Sequence, residues 1–270
     1  MLINKNTKII ISASSNPGNF GTTLYNTLFK RKNLNIIYLP QKFNNTKQIY
    51  RAISSTNALG CSISMPFKES FMKYIRPANN FVKNIGSVNT IINNGNYLKG
   101  YNTDALGAND VLKNIKFKNT LILGNGGVSK ALIITLKKLK KNIFIAGRNK
   151  KKVDKISKLY KIQILRKKEI RNIELIINAT PIVNRDIFLK YIHKDICTNA
   201  KFFFDLNVDL IDNNLVRYFK SLNKITISGF EMYINQVKYQ FRLYTKKKIS
   251  LNEIKKVFRL NSKLLQKKLK

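Results

Sequence analysis

Short apolar runs alternate with helix-like patterns from one end of the chain to the other. The runs have the length of buried strands, and the segments between them place apolar residues at helical spacing. Strands are predicted at 8–12, 35–39, 61–64, 88–93, 120–123, 142–146, 161–165, 175–178, 202–206 and 224–227. This alternation is the signature of an α/β fold, in which helices cover a largely parallel sheet.

Length and residue usage exclude several classes of protein. A chain of 270 residues forms one or two domains, each with its own core. Cys61, Cys197 and the single His193 are too few for a disulfide framework or a zinc site, so we predict no metal and assign His193 no role. Since no apolar stretch approaches the ~18 residues of a membrane span and no signal sequence is apparent, we expect a soluble cytoplasmic protein without a membrane partner.

The net charge of +38 would ordinarily suggest a nucleic-acid partner. However, the chain has 41 Lys against 10 Arg, together with 35 Asn and 36 Ile. This bias is typical of drift towards A+T-rich codons, and the lysines are dispersed as on a solvated surface. We therefore predict no specific nucleic-acid partner.

A domain boundary is indicated near residue 105 although no Pro/Gly-rich linker is present. The segment 100–112 begins a helix after a turn, and the strand at 120–123 then opens a new βαβ unit with its own glycine-rich turn. After the last strand come two long helical patterns, 230–245 and 251–269, which could cover either domain.

The glycine-rich turn follows the strand at 120–123 and contains Gly124, Gly126 and Gly127. Such glycines let the backbone approach a pyrophosphate at the N-terminus of the next helix, although Ser129 stands where a third glycine would be usual. The next strand ends in Gly-Arg148-Asn149 rather than in an acidic residue, which favours NADP over NAD. The alternative is an ordinary βαβ turn followed by a basic helix start.

The segment 60–69 reads as a buried strand, then Pro66 at the first position of a helix and Lys68 in the first helical turn. A cation there opposes the helix dipole, which suggests that Lys68 has a role other than local stability. The alternative is one more surface lysine among 41.

Two further segments begin helices. Asn102 and Thr103 are suited to capping the helix that follows, with Asp104 in its first turn. In the segment 228–236 the apolar residues are explained as core, and Gln236 is the polar exception.

Six ordered motifs resemble those of the shikimate dehydrogenase family. They are Pro-Phe-Lys at 66–68, Val-Asn-Thr at 88–90, Asn-Thr-Asp at 102–104, Gly-x-Gly-Gly at 124–127, Asn-Ala-Thr-Pro at 178–181 and Gly…Met…Gln at 229–236. The segment 19–22 and the serines Ser62 and Ser64 are more similar to the shikimate dehydrogenase-like branch.

The resemblance implies NADPH-dependent reduction of 3-dehydroshikimate to shikimate, a step of aromatic amino acid biosynthesis. Lys68 would pass a proton to the forming alcohol, and Asp104 would hold and tune Lys68. The implied substrate contacts are Thr22 and Ser64 at the carboxylate end, Asn89 and Gln236 at the ring hydroxyls, and Thr103 beside the catalytic pair.

For NADP, the resemblance implies that Arg148 and Asn149 bind the 2′-phosphate and that Gly229 lies near the nicotinamide. Gly124, Gly126 and Gly127 belong to the turn that passes the pyrophosphate. The implied architecture has an α/β substrate domain, 1–104 with 230–270, and a Rossmann-type NADP domain, 105–229. We expect the active site in the cleft between the two domains, and a monomer or homodimer.

Departures from the family pattern leave alternatives open. Val208 stands where the family often has a tyrosine near the substrate, and residues 182–184 lack the usual Gly-Met. A quinate/shikimate or related hydroxy-acid dehydrogenase is the alternative enzyme. A non-catalytic relic of the fold that binds anions is the alternative without chemistry.

Overall fold

The computed structural model describes residues 3–166, 172–208 and 212–268, with backbone alone for 261–268. The strands are β1 (Lys8–Ser14), β2 (Ile36–Lys42), β3 (Gly60–Ile63), β4 (Arg76–Pro77), β5 (Thr90–Asn93), β6 (Leu98–Tyr101), β7 (Asn119–Leu123), β8 (Asn142–Ala146), β9 (Gln163–Ile164), β10 (Leu175–Asn178), β11 (Phe202–Asp205) and β12 (Ile225–Ser228). The helices are α1 (Asn19–Arg31), α2 (Thr46–Ser55), α3 (Asn80–Ile85), α4 (Thr103–Leu112), α5 (Gly127–Lys138), α6 (Lys150–Tyr160), α7 (Arg185–Phe188), α8 (Lys194–Asn199), α9 (Asn214–Ser221), α10 (Gly229–Thr245) and α11 (Leu251–Lys268), and a 3₁₀ helix covers Ser70–Tyr74.

Each predicted strand overlaps an observed one, but β4 and β6 were not predicted. β6 reads Leu-Lys-Gly-Tyr, which is too polar and too short to stand out in the sequence. It forms because it pairs antiparallel with β5 and buries Leu98 and Gly100 on one face.

The chain forms two compact units. One contains the residues up to Thr103 together with those from Gln236 onward, and the other runs from Asp104 to Asn235. The assignment of 1–104 with 230–270 to substrate and of 105–229 to cofactor stays a prediction.

The first unit has a mixed six-stranded sheet in the order β2-β1-β3-β5-β6-β4, in which β5 runs antiparallel to β3 and β6. One face packs Ile11, Cys61 and Ile63 against α2, α3 and the 3₁₀ helix. Near the other face, α1 meets α10, where the rings of Phe29 and Phe241 lie 5.9 Å apart. The last part of α10 therefore belongs to the core of this unit.

The second unit has a six-stranded sheet in the order β9-β8-β7-β10-β11-β12, and all of its pairings are parallel. This is the strand order of a Rossmann fold. From β7 the chain adds β8 and β9 on one side, and it then returns to add β10, β11 and β12 on the other side, so the strand order reverses between β7 and β10. Successive residues of each strand face opposite cores: Ile122 and Ile177 lie in one, Leu121 and Ile176 in the other. Ligands of such sheets bind beyond the carboxyl ends of the strands at the point of reversal.

Within the described ranges, no helix combines the length and apolar character needed to cross a membrane. The same residues contain no group of three or more His, Cys, Asp or Glu side chains arranged to hold a metal ion. Cys61 and Cys197 are both free and buried.

Candidate active site

Lys68 lies in a turn, so its predicted place in the first turn of a helix is wrong. Residues 65–69 form turns after β3, the Met65–Pro66 peptide bond is cis, and the 3₁₀ helix starts only at Ser70. The turn is closed by the N–H of Phe67, which donates to the carbonyl of Ser64 at 3.0 Å. The argument that the helix dipole opposes a cation at Lys68 therefore does not apply. The turn is also anchored to the segment just before β5, because the N–H of Val88 donates to the Lys68 carbonyl at 2.9 Å.

Asn89 is the centre of a buried polar cluster next to this anchor. Its Oδ1 accepts hydrogen bonds from the Thr103 N–H at 2.8 Å and from the Thr90 hydroxyl at 2.9 Å, and its Nδ2 donates to the Thr103 hydroxyl at 2.9 Å. All three residues are at most 2% exposed. Since a buried amide is costly unless it is hydrogen-bonded, these contacts hold Asn89 in one orientation. The structure thus brings the predicted residues Asn89 and Thr103 together.

Ser64 adjoins the same cluster through the backbone. It follows Ile63, whose N–H donates to the carbonyl of Asn89 at 2.9 Å, and its own N–H donates to the carbonyl of Ala13 at 2.9 Å. The side chain of Ser64 is exposed. It is therefore available for a ligand at the carboxyl ends of β1 and β3.

Thr22 lies in the first part of α1, a helix whose N-cap Gly18 offers no side-chain cap. Its hydroxyl oxygen is buried without a hydrogen-bond partner among the described residues. Buried hydroxyls normally have a partner, so an orphaned one beside a helix N-terminus fits an anionic ligand group.

Gln236 is half-buried on α10. Two other polar side chains of this helix are buried more deeply, Asn235 at 6% exposure and Gln240 at 2%, and Gln240 donates to the carbonyl of Asn89 at 3.3 Å. Gln236 lies one turn, about 6 Å, before it on the same side of the helix. Sequence reasoning missed Gln240, although a second glutamine four residues after the first was a usable signal.

Asp104 is buried in the first turn of α4 and is 2% exposed. The compact units divide between Thr103 and Asp104, so Asp104 is counted with the second unit. Its pairing with Lys68 stays a prediction.

In the second unit, Gly124 directly follows β7 at the point where the strand order reverses. Its φ is +131°, and an added Cβ would lie 2.7 Å from the carbonyl oxygen of Ala179, so only glycine fits this turn. Gly126, by contrast, is the N-cap of α5 and has open space where a side chain would be. A backbone with free space beside a helix N-terminus fits a pyrophosphate, as the sequence predicts.

Arg148 is exposed after the carboxyl end of β8, with Lys150, Lys151 and Lys152 exposed beside it at the start of α6. No acidic residue stands in the first turn of α6. The Oδ1 of Asn149 accepts from the N–H of Lys152 at 3.0 Å, so this side chain caps the helix. The four cations make this strand end strongly positive, which suits a phosphate group.

A network around Asp205 shapes the loop that follows β10. The Asp205 carboxylate accepts hydrogen bonds from side-chain amides of Asn178 at 3.0 Å, Asn207 at 2.7 Å and Asn213 at 2.6 Å. Asn178 Nδ2 also donates to the carbonyl of Ile182 at 2.7 Å, which closes the 178–182 loop. Burial raises the pKa of Asp205, and these hydrogen bonds oppose that rise.

Gly229 is packed against the end of β11. An added Cβ would lie 2.6 Å from the carbonyl of Leu206 and 2.8 Å from that of Asp205. The backbone of α10 can approach β11 this closely only because the residue is glycine. The predicted cofactor residues Gly124 and Gly229 thus both lie at carboxyl ends of this sheet.

Comparison with known proteins agrees with this arrangement. The model of the shikimate dehydrogenase substrate binding domain matches residues 19–91. A "shikimate dehydrogenase-like protein" of Haemophilus influenzae is 33% identical over 90% of this chain and 93% of its own length. The chain belongs to the shikimate dehydrogenase family.

Further members have similar sequences and folds. A "shikimate dehydrogenase (NADP(+))" of Pyrococcus furiosus is 31% identical over 90% of this chain and 92% of its own length. The solved structure of a shikimate 5-dehydrogenase-like protein matches with a TM-score of 0.82 and 29% identity, covering 96% of this chain and all of the other. A shikimate dehydrogenase in complex with NADP+ matches with a TM-score of 0.81 and 25% identity, covering 96% and 97%. The predictions of family and fold class are confirmed.

Proposed function

We propose that this shikimate dehydrogenase family member catalyses the reversible, NADPH-dependent reduction of 3-dehydroshikimate to shikimate. The observation that carries the proposal is the buried amide and hydroxyl cluster of Asn89 and Thr103 beside the Lys68 turn. Such a cluster suits a ring that carries several hydroxyls, because a site built to hydrogen-bond a hydroxyl discriminates strongly against ligands that lack it. The names of the relatives agree with this activity.

The residues of the second unit fit NADP. Gly126 and Gly127 present backbone at the start of α5, and Arg148 offers a planar pair of donors for the 2′-phosphate. Asn149 is the second 2′-phosphate partner. Gly124 belongs to the turn that passes the pyrophosphate, and Gly229 lies near the nicotinamide. When bound, NADPH supplies the hydride.

The chain's own groups manage the proton and the developing charge. Reduction of a carbonyl builds negative charge on its oxygen, and the Lys68 ammonium stabilises that charge and delivers a proton. Asp104 orients Lys68. Asn89, Thr103 and Gln236 bind ring hydroxyls, while Thr22 and Ser64 bind the carboxylate end.

Ser62 is a further feature of the substrate unit, because its hydroxyl lies 2.8 Å from the Tyr244 hydroxyl. Ser62 is one of the two serines that are more similar to the shikimate dehydrogenase-like branch, and a tyrosine of α10 holds it. Substrate preference among shikimate, quinate and related hydroxy acids is therefore part of the test. We also propose a cytoplasmic monomer or homodimer that binds nucleic acid only without sequence specificity.

The test is an NADP-linked absorbance assay with shikimate, quinate and glycerate-like acids measured in parallel. We expect shikimate to give the highest kcat/KM, and NADP to be preferred over NAD. A higher kcat/KM for quinate than for shikimate would identify quinate as the preferred substrate, and the assignment as an NADP-dependent hydroxy-acid dehydrogenase would still hold. NADPH binding without turnover of any acid would favour the non-catalytic relic, and absence of NADPH binding would overturn the proposal.

A further inference from the structure

Gln240 is a buried amide on α10 for which neither the proposed reaction nor the sequence motifs account. It lies next to Phe241, which is fully buried in the core of the first unit, and it is itself 2% exposed. Its Oε1 accepts from the Tyr25 hydroxyl at 2.5 Å, and its Nε2 donates to the Thr90 hydroxyl at 2.7 Å. An apolar side chain of the same size would fill this space without needing any partner.

The hydrogen bond from Gln240 controls the direction of the next one. An amide Nε2 can only donate, so the Thr90 hydroxyl must accept from it and must use its single proton elsewhere. That proton points to Asn89 Oδ1 at 2.9 Å or to the Thr103 hydroxyl at 3.2 Å. Asn89 Oδ1 also accepts from the Thr103 N–H at 2.8 Å.

These contacts select one of the two orientations of the Asn89 amide. If the amide rotated by half a turn, its Nδ2 would face the Thr103 N–H, and two donors would meet. When the Thr90 hydroxyl accepts from Gln240, it donates its proton to Asn89 Oδ1, and this second hydrogen bond also favours the observed orientation of the amide. Without the Gln240 donor, the Thr90 hydroxyl could turn and accept from a rotated Asn89 amide instead.

We propose that Gln240 is a positioning residue, which acts through Thr90 to orient the Asn89 amide, and with it the Thr103 hydroxyl, towards the substrate. This inference rests on the proposed function. If Gln240 has this role, loss of its side-chain amide lowers the affinity for substrate and does not change the affinity for NADP.

The test compares Gln240→Met with Tyr25→Phe in the full chain. Methionine keeps the length and volume of glutamine but removes the donor to Thr90, whereas phenylalanine removes a hydrogen bond from the same buried network and keeps that donor. We expect Gln240→Met to raise the KM for shikimate about tenfold with the KM for NADP unchanged. Tyr25→Phe is expected to keep the KM for shikimate within about twofold of the wild-type value. In urea unfolding, we expect it to lose about as much stability as Gln240→Met.

A second variant keeps the test decisive if Gln240→Met does not fold. Thr90→Val removes the relaying hydroxyl and should reproduce the rise in KM for shikimate, and adding Gln240→Met to it should raise the KM little further. Equal KM values in Gln240→Met and Tyr25→Phe, or an unchanged KM in Thr90→Val, would show that Gln240 is only structural. A wild-type chain without shikimate-dependent turnover would instead overturn the proposed function, and this inference with it.

Discussion

Replacing Asp205 by alanine should destabilise the second unit and weaken NADP binding. The carboxylate is 2% exposed and accepts from Asn178, Asn207 and Asn213 at 2.6–3.0 Å. Asn178 is fully buried and Asn213 is 7% exposed, so water cannot readily replace the lost acceptor at either position.

The magnitude follows from these two buried amides. A buried donor left without an acceptor costs about 1–3 kcal/mol, so the gross loss is roughly 2–6 kcal/mol. Part of it is recovered because the buried charge is removed, and desolvation of that charge raises the pKa of Asp205. We therefore expect Asp205→Ala to lower the free energy of unfolding by about 2–4 kcal/mol.

Urea unfolding followed by circular dichroism measures this loss, and the NADP-linked assay measures the KM for NADP. That KM should rise several-fold, because the 178–182 loop loses its support, while the KM for shikimate changes less. The control is Asp212→Ala, which removes an exposed carboxylate that pairs with Arg217 at 3.3 Å and with Lys220 at 3.1 Å. Exposed pairs contribute about 0–1 kcal/mol. If Asp205→Ala is no less stable than the control, the network does not hold the loop as described.

Four other measurements test the remaining assignments. Lys68→Ala should lower kcat by about 10²–10⁴-fold, and combining it with Asp104→Asn should be little worse than the worse single variant; a raised KM with unchanged kcat would make Lys68 an anchor only. Arg148→Ala should raise the KM for NADP at least about tenfold, roughly 1.4 kcal/mol, and spare NAD; equal losses would make Arg148 structural. Burial raises the pKa of Tyr38 to about 12, so the folded chain keeps a proton that the unfolded chain releases near pH 10. Stability present below pH 10 should then fall between pH 10 and 12, and Tyr38 should contribute about 2–3 kcal/mol of this fall, beside the contribution of the buried Tyr244, whose pKa is also raised by burial. Tyr38→Phe should make the fall smaller by that amount; identical alkaline unfolding curves would contradict the assignment. Nucleic-acid binding should be lost at moderate salt, and a salt-insensitive isotherm would refute the compositional explanation of the charge.

Much of the second unit could be predicted from the sequence because its signals are local. The strands β7, β8, β10 and β11 each contain three or four consecutive apolar residues, as expected for strands buried on both faces. The glycines after β7 mark a turn that few other residues can form. Strand length, the type of turn and the start of a helix all depend on residues that are close together in the sequence, so these features can be predicted from one sequence alone.

Lys68 and β6 show where local signals mislead. Proline is compatible with a turn as well as with the first turn of a helix, so Pro66 does not decide between the two structures. The hydrogen bond from the Val88 N–H to the Lys68 carbonyl, which anchors the turn, is a tertiary contact that the residues around Pro66 do not reveal. β6 exists because β5 lies beside it, and its own residues carry little preference for a strand.

Tertiary structure alone decided the partners of Asn89 and Asp205. Gln240 reaches Thr90 across 150 positions of sequence, and Asn178 reaches Asp205 across 27. Resemblance to family motifs singles out Asn89 and Asn178, but no local pattern shows which groups their amides contact. The residue types in these networks are ordinary ones for surface loops and helix caps. What makes them part of a site is burial, which removes water as the competing partner and leaves each amide dependent on groups that only folding brings within reach.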